Sequence, residues 1–375
     1  MATTGFGAPS VDERDALARK AAKTPGLISF AGGLPDPKLF PTRDLGRALE
    51  GALNDNTSEA LQYGWPEGSA ALREYVAREL RARGARVNAD GVVMTSGAQQ
   101  AIALALAMLP RGAAVGVDPE SYPGALEIFR AARRVLCDLT EATRGFYVMP
   151  SVSNPRGQRL NTAEREALLS RAAKHRGFII EDDAYEGTWF SGEGSTPLLA
   201  EAPERVFQVG TFSKTLCPGL RIGWLVPPPA LLRRALQQKQ ADDLQANSLA
   251  QALLVRYLEG ERFEHHKRTA RQRYRRKARA LARSVAARLP ELRFRPPGGG
   301  FSLWLESDLQ LDQKRLLATA IEAKVSFDPG YAFRFRPSGS FAIRLCYSAV
   351  AEDDIDEGVR RLARALAACR RKRRG

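Results

Sequence analysis

Through the middle of the chain, short apolar runs alternate with helical stretches, the pattern of an α/β domain on a mostly parallel sheet. Val92-Val93-Met94-Thr95 reads as a strand, and 98–109 as a buried helix stopped by Pro110. Residues 113–117 and 146–149 are short strand candidates. Gly177-Phe178-Ile179-Ile180 reads as a buried strand running into the acidic triplet Glu181-Asp182-Asp183, and Val206-Phe207-Gln208-Val209 as another. Past Pro227-Pro228-Pro229 the pattern turns helical over 230–257 and again from 262. In that second helix Tyr274, Ala278, Leu281, Val285 and Leu289 recur at spacings of three and four. Pro296-Pro297-Gly298-Gly299-Gly300 breaks the chain before strand-like 301–305. A last strand at 341–346 and a helix at 353–366 suggest a second, smaller α/β domain.

The chain has 375 residues, 44% hydrophobic and 26% charged, which suits two packed globular domains. Its longest apolar run, 101–109, is far short of the roughly 20 residues that span a bilayer, and 1–12 carries no secretory pattern. The four cysteines form no CxxC pair, so the expectation is reduced thiols in a cytoplasmic protein, with neither disulfides nor a zinc site. Net charge is +15, concentrated in 262–283 and in Arg370-Arg371-Lys372-Arg373-Arg374. In the helix the arginines read as a solvated face. No zinc finger, RNA-binding aromatic motif or helix-turn-helix accompanies them, so nucleic-acid binding is not expected.

The candidate chemistry centres on Gly210-Thr211-Phe212-Ser213-Lys214-Thr215-Leu216-Cys217-Pro218-Gly219-Leu220-Arg221. A lysine among apolar neighbours loses hydration, becomes neutral more readily and can attack a carbonyl carbon. The hydroxyls of Thr211 and Ser213 and the guanidinium of Arg221 suit a phosphate. One aldehyde and one phosphate on a single ligand point to pyridoxal 5'-phosphate. Ser96-Gly97-Ala98-Gln99, between strand and helix, is either a plain cap or a phosphate cradle. Asp182, after its buried strand, is either a cap, a metal ligand or the partner of a pyridine nitrogen. Tyr185 could reach a ring oxygen, and Tyr122 could stack on a flat ring or simply pack. Asn154-Pro155-Arg156-Gly157 is a tight turn. Arg344, a charge inside an apolar strand, requires either an internal ion pair or a ligand carboxylate. His175, His265 and His266 show no metal-ligand spacing, and no nucleophile elbow, Walker loop or Gly-x-Gly-x-x-Gly turn is present.

Taken in order, these motifs resemble the fold-type I pyridoxal-phosphate enzymes of the class I/II aminotransferase group. They are most similar to its alpha-aminoadipate aminotransferase branch and to the aminotransferase-like domain of MocR regulators. The likeness runs from Ile28-Ser29-Phe30-Ala31-Gly32-Gly33-Leu34-Pro35 to Arg344-Leu345-Cys346-Tyr347-Ser348. It implies an N-terminal segment, 1–40, packing on the small domain and substrate site, a large cofactor domain, 41–260, and a linking helix with a small domain, 261–375. It implies that Lys214 binds the cofactor aldehyde and relays the α-proton. Asp182 would hold the pyridine nitrogen, Asn154 and Tyr185 the ring oxygen, and Tyr122 the ring face. Ser96, Gly97, Ala98, Thr211, Ser213 and Arg221 would hold the phosphate, and Arg344, Gly33 and Asn154 the substrate carboxylate. Tyr63 would reach the phosphate of a neighbouring subunit, which implies a homodimer, and the Asn154–Pro155 bond is expected to be cis.

Two departures stand near the site. The stretch 137–147 lacks a helix the family usually carries there, and Val152-Ser153 replace a Phe-Gln pair. Thirty-one residues precede the Gly-Gly-Leu-Pro motif, and the expectation is that they are too few for a DNA-binding domain. The expected activity is ping-pong transfer of an amino group between an L-amino acid and a 2-oxo acid, with 2-oxoglutarate and glutamate as one pair. Decarboxylation, racemisation or a cyclising elimination with the same cofactor is the alternative, and a ligand-sensing protein that performs no reaction is a third.

Overall fold

The computed structural model describes residues 23–55, 57–191 and 194–371. Much of the N-terminal segment and the end of the basic tail therefore lie outside the described residues.

Two sheets organise the chain. The larger has seven strands: β2 (Val93–Thr95), β3 (Val115–Val117), β4 (Leu136–Asp138), β5 (Gly145–Val148), β6 (Phe178–Asp182), β7 (Val206–Thr211) and β8 (Gly223–Val226). Their order is β2-β8-β7-β6-β5-β3-β4. All neighbours are parallel except β8, which runs antiparallel to both β2 and β7. Strands β2, β3, β5, β6 and β7 are almost entirely buried on both faces, as the covered strands of a mostly parallel sheet are, and Glu181, Asp182 and Gln208 are among their buried residues. The helix Ala98–Met108 buries Ala101, Ile102, Leu104, Ala105, Leu106 and Met108 and leaves a stripe at Gln99, Ala103 and Ala107 exposed.

The smaller sheet has β1 (Ile28–Phe30), β9 (Ser302–Ser307), β10 (Val325–Pro329) and β11 (Phe341–Cys346), in the order β1-β10-β11-β9. Ile28 pairs with Val325 in parallel, so a strand near the start of the chain closes the edge of a sheet built near its end. The long helix Arg262–Arg288 buries Tyr274, Ala278, Leu281 and Val285, with Leu289 just beyond it, and turns most of its arginines to solvent. Lys277 departs from that division. It is buried and donates to Asp36 Oδ2 at 2.8 Å and to the Ser348 carbonyl at 2.6 Å.

Residues 139–144 join β4 to β5 across β3 without a helix. Thr143 Oγ1 donates to the Ala114 carbonyl at 2.6 Å and tacks this connection down. No helix among the described residues is long and apolar enough to cross a membrane.

Candidate active site

Register brings the scattered motifs to one edge of the large sheet. β5, β6 and β7 are parallel neighbours, so the chain leaves all three at the same end. Asp182 is the last residue of β6 and Thr211 the last of β7, with Lys214 three residues on. Gly223 of β8 pairs with Thr211 on one side and Thr95 on the other. Ser96 and Gly97 therefore emerge beside the lysine loop. Tyr122 follows β3 at the same edge, as the crevice rule for such sheets expects.

The Ser96–Gly97 turn needs its glycine. Gly97 has φ +84°, and a Cβ there would lie 2.7 Å from Arg221 Nη2. Arg221, itself left-handed at φ +54°, donates from Nη2 to the Ser96 carbonyl at 3.1 Å. Thr211 Oγ1 donates to the Ile222 carbonyl at 2.8 Å and accepts from Ser213 N at 3.1 Å. These bonds set the Ser213 backbone and the Arg221 guanidinium beside the N-terminus of the helix Ala98–Met108, whose first amides have no intrahelical partners, while the one hydrogen of Thr211 Oγ1 is taken by the Ile222 carbonyl. An anion with several oxygens matches that donor set.

Beyond it, Asp182 is buried and accepts from the Tyr147 hydroxyl at 2.7 Å and from Ala184 N at 3.1 Å. Burial pushes its carboxyl up to about 6 despite those two donors. Lys214 is partly buried, and Nζ donates to the Gly33 carbonyl at 3.2 Å. It lies 5.4 and 5.9 Å from the ring centres of Tyr185 and Phe301, which pack edge to face. Burial, with Arg344 nearby, draws the amine down to about 8. Among the described residues no carboxylate is within ion-pair distance of it.

The small sheet supplies the opposite wall. Arg344 Nη1 donates to Asn154 Oδ1 at 2.7 Å, and a Cβ on Gly33 would meet both Nη1 and Nη2 at 3.4 Å. The Asn154–Pro155 peptide is cis. Of the two readings open for Arg344, the internal ion pair is present, with Asp328 as partner at 2.6 Å. Tyr63 stands 77% exposed, and Arg221 is exposed as well.

The chain's length and order of motifs have counterparts. A family model described as aminotransferase class I and II matches residues 41–362. The chain belongs to that family. It is 35% identical to a 2-aminoadipate transaminase of Thermus thermophilus, over 92% of each protein. It is similar in structure to the alpha-aminoadipate aminotransferase of that organism, complexed with N-(5'-phosphopyridoxyl)-L-leucine, with a TM-score of 0.85, 33% identity and 94% and 95% coverage. A Pyrococcus horikoshii kynurenine aminotransferase complexed with pyridoxamine phosphate superposes with a TM-score of 0.89, at 30% identity and over 98% and 97% of the two chains. The aminotransferase is thus a pyridoxal 5'-phosphate enzyme of fold type I. The residues present fit that cofactor: an anion cradle that a methyl group would fill, a buried carboxylate, and a readily neutralised amine at one sheet edge.

Sequence reasoning missed five contributors. Tyr147 holds Asp182, Phe301 walls the lysine, Asp328 pairs Arg344, and Asp36 with Lys277 ties down the Gly33 segment. Lys277 carried a legible signal, since it falls on the apolar face of the periodic helix.

Proposed function

We propose that the enzyme transfers an amino group between an L-amino acid and a 2-oxo acid in two half-reactions, with glutamate and 2-oxoglutarate as one pair. The observation that carries the reading is Lys214, an amine without a carboxylate partner among the described residues, in a cleft that also holds Asp182 and Arg344. Ser96, Gly97, Ala98, Thr211, Ser213 and Arg221 would hold the cofactor phosphate, and Tyr122 would lie against the ring. Asn154 spends Oδ1 on Arg344, which leaves its amide N–H groups, with the Tyr185 hydroxyl, for the ring oxygen. Asp182 would keep the pyridine nitrogen protonated. Bound pyridoxal phosphate supplies an aldehyde that captures the amino group and a ring that accepts the electron pair of the broken bond.

Lys214 would take the proton from the substrate α-carbon and return it, across the nitrogen, at the carbon contributed by the cofactor's aldehyde. An amine drawn down to about 8 can both accept and release that proton near neutral pH. Arg344, Gly33 and Asn154 orient the substrate carboxylate. Tyr185 and Phe301 keep water from the amine.

The domain division at 1–40, 41–260 and 261–375 is part of this reading, as is a homodimer in which Tyr63 serves the neighbouring site. Exposure of Tyr63, Trp65 (76%) and Leu61 (61%) supports the dimer. Four unpaired cysteines fit a cytoplasmic location.

To test the reading, holoprotein is reduced with hydride and its peptides are mapped, and unreduced enzyme is given one L-amino acid without acceptor. The expected result is a label on Lys214 and one equivalent of pyridoxamine phosphate per site. A label elsewhere defeats the assignment. Carbon dioxide or racemised donor in place of the amine-form cofactor defeats transamination.

A further inference from the structure

The charge of Arg344 is already countered within the chain. Its Nε and Nη2 donate to Asp328 Oδ2 at 3.0 and 2.6 Å, which occupies one edge of the guanidinium. The pair is built into the sheet, because Asp328 and Arg344 stand directly opposite in the β10–β11 register. The same carboxylate accepts from Gly32 N at 3.1 and 3.3 Å, and Cys346 Sγ approaches it at 3.7 Å. Asp328 thus fixes both the guanidinium and the Gly32–Gly33 strap that faces Nη1 and Nη2. With Nη1 also on Asn154, one hydrogen on each terminal nitrogen is left for a ligand.

A ligand carboxylate on those hydrogens shares a single positive charge with Asp328. The two anions repel across a partly buried space where water screens them little. A neutral oxygen, of a carboxamide or a hydroxymethyl group, accepts from the same hydrogens without that repulsion. We propose that Asp328 determines donor specificity: by neutralising Arg344 it weakens the preference for an α-carboxylate and admits α-amino amides and amino alcohols as amino donors. The inference rests on the transamination reading above.

Asp328→Asn keeps an acceptor for Arg344 and removes the charge. Holoenzyme is assayed with an L-amino acid, its primary amide and its amino alcohol. In the variant, kcat/KM for the acid relative to the amide is expected to rise about tenfold, through KM, while the neutral donors change less than about twofold. An unchanged or falling ratio overturns the proposal, since a residue that merely orients Arg344 would raise KM for the acid when altered.

A second readout needs neither cofactor nor turnover. Calorimetric titration of the apoprotein with hydrocinnamate, a carboxylate without an amine, is expected to show about tenfold tighter binding in Asp328→Asn. Asp328→Ser replaces it if the first variant fails to fold, and no gain in affinity overturns the proposal. If the wild type uses no donor at all, the transamination reading fails, and the titration still decides the role of Asp328.

Discussion

Lys214, at the edge of the large sheet, and Lys277, beneath the small one, are both lysines held away from water, and they are provided for differently. Lys277 is 1% exposed and donates to Asp36 and to the Ser348 carbonyl. Among the described residues Lys214 has one hydrogen-bond partner, the Gly33 carbonyl, and no carboxylate. Arg344 follows the Lys277 pattern, with Asp328 and Asn154 as partners. Burial draws both lysines down, and the Asp36 carboxylate opposes that fall at Lys277. A counter-ion makes a buried cation a structural tie, and withholding one makes it a base. The ties also serve the base. Asp36 and Lys277 anchor one end of the segment whose Gly33 carbonyl receives Lys214, and Asp328 anchors Gly32.

The sharpest way to break this contrast is to remove one counter-ion. Asp36→Ala leaves Lys277 buried with only a carbonyl, and the expected loss is about 3–5 kcal/mol of unfolding free energy. Lys214→Met removes an uncompensated amine. Its apoprotein is expected to be as stable as the wild type within about 0.5 kcal/mol, or more stable, while transfer is lost. Denaturant titration of the two apoproteins checks both. Equal destabilisation would mean that Lys214 is a structural tie as well.

The contrast can be sharpened with pH. Folded Lys214 sheds its proton near 8, against an ordinary value of 10.5. Between those values the unfolded chain binds the extra proton, so this group makes the apoprotein more stable as pH rises through that window. Over the same range the neutral amine becomes available. The rate at which apoprotein captures pyridoxal phosphate, followed by visible absorbance, is expected to rise about tenfold from pH 7 to 9, with a midpoint near 8. A flat profile would sink the idea that withheld charge activates the lysine.

The large sheet was legible from the chain because its central strands are apolar runs and its chemistry follows directly after them. Phe178–Asp182 and Val206–Thr211 announce both the strand and the residue it delivers. The resemblance names the residues expected to hold the cofactor, of which Ser96, Gly97, Asp182, Thr211, Ser213 and Lys214 come to one edge of the large sheet while Tyr63 stands exposed. Four strands escaped the reading. Ile28–Phe30 and Leu136–Asp138 have three residues each and include Ser29 and Asp138, so no apolar run marks them. Gly223–Val226 follows the motif loop without a polar break, and Val325–Pro329 ends in the proline of a turn. Asp328 was hidden for that reason. An acid before a proline reads as turn chemistry, and only the pairing with β11 sets it opposite Arg344. Ile28 meets Val325 across most of the chain, a contact that local pattern does not encode.

The smallest expected effect concerns the anion of the cleft. Asp182 is the counterpart of Lys214 in sign: burial raises its carboxyl to about 6, and the Tyr147 hydroxyl and the Ala184 amide hold it from rising further. Tyr147→Phe deletes one of those donors and leaves the ring free to keep its edge contact with Phe129, whose centre is 5.4 Å away. The carboxylate then loses a hydrogen bond worth about 1 kcal/mol, so Asp182 should hold its proton to higher pH. In the folded state it already does so beyond the ordinary 3.8, and stability from this group therefore falls as pH rises between 3.8 and about 6. The variant should extend that falling window upward and move the acid limb of kcat/KM in the same direction, costing a few-fold at pH 6 and almost nothing at pH 8. An acid limb that stays in place would show that the hydroxyl only fills space beside a carboxylate whose charge is set by the cofactor alone.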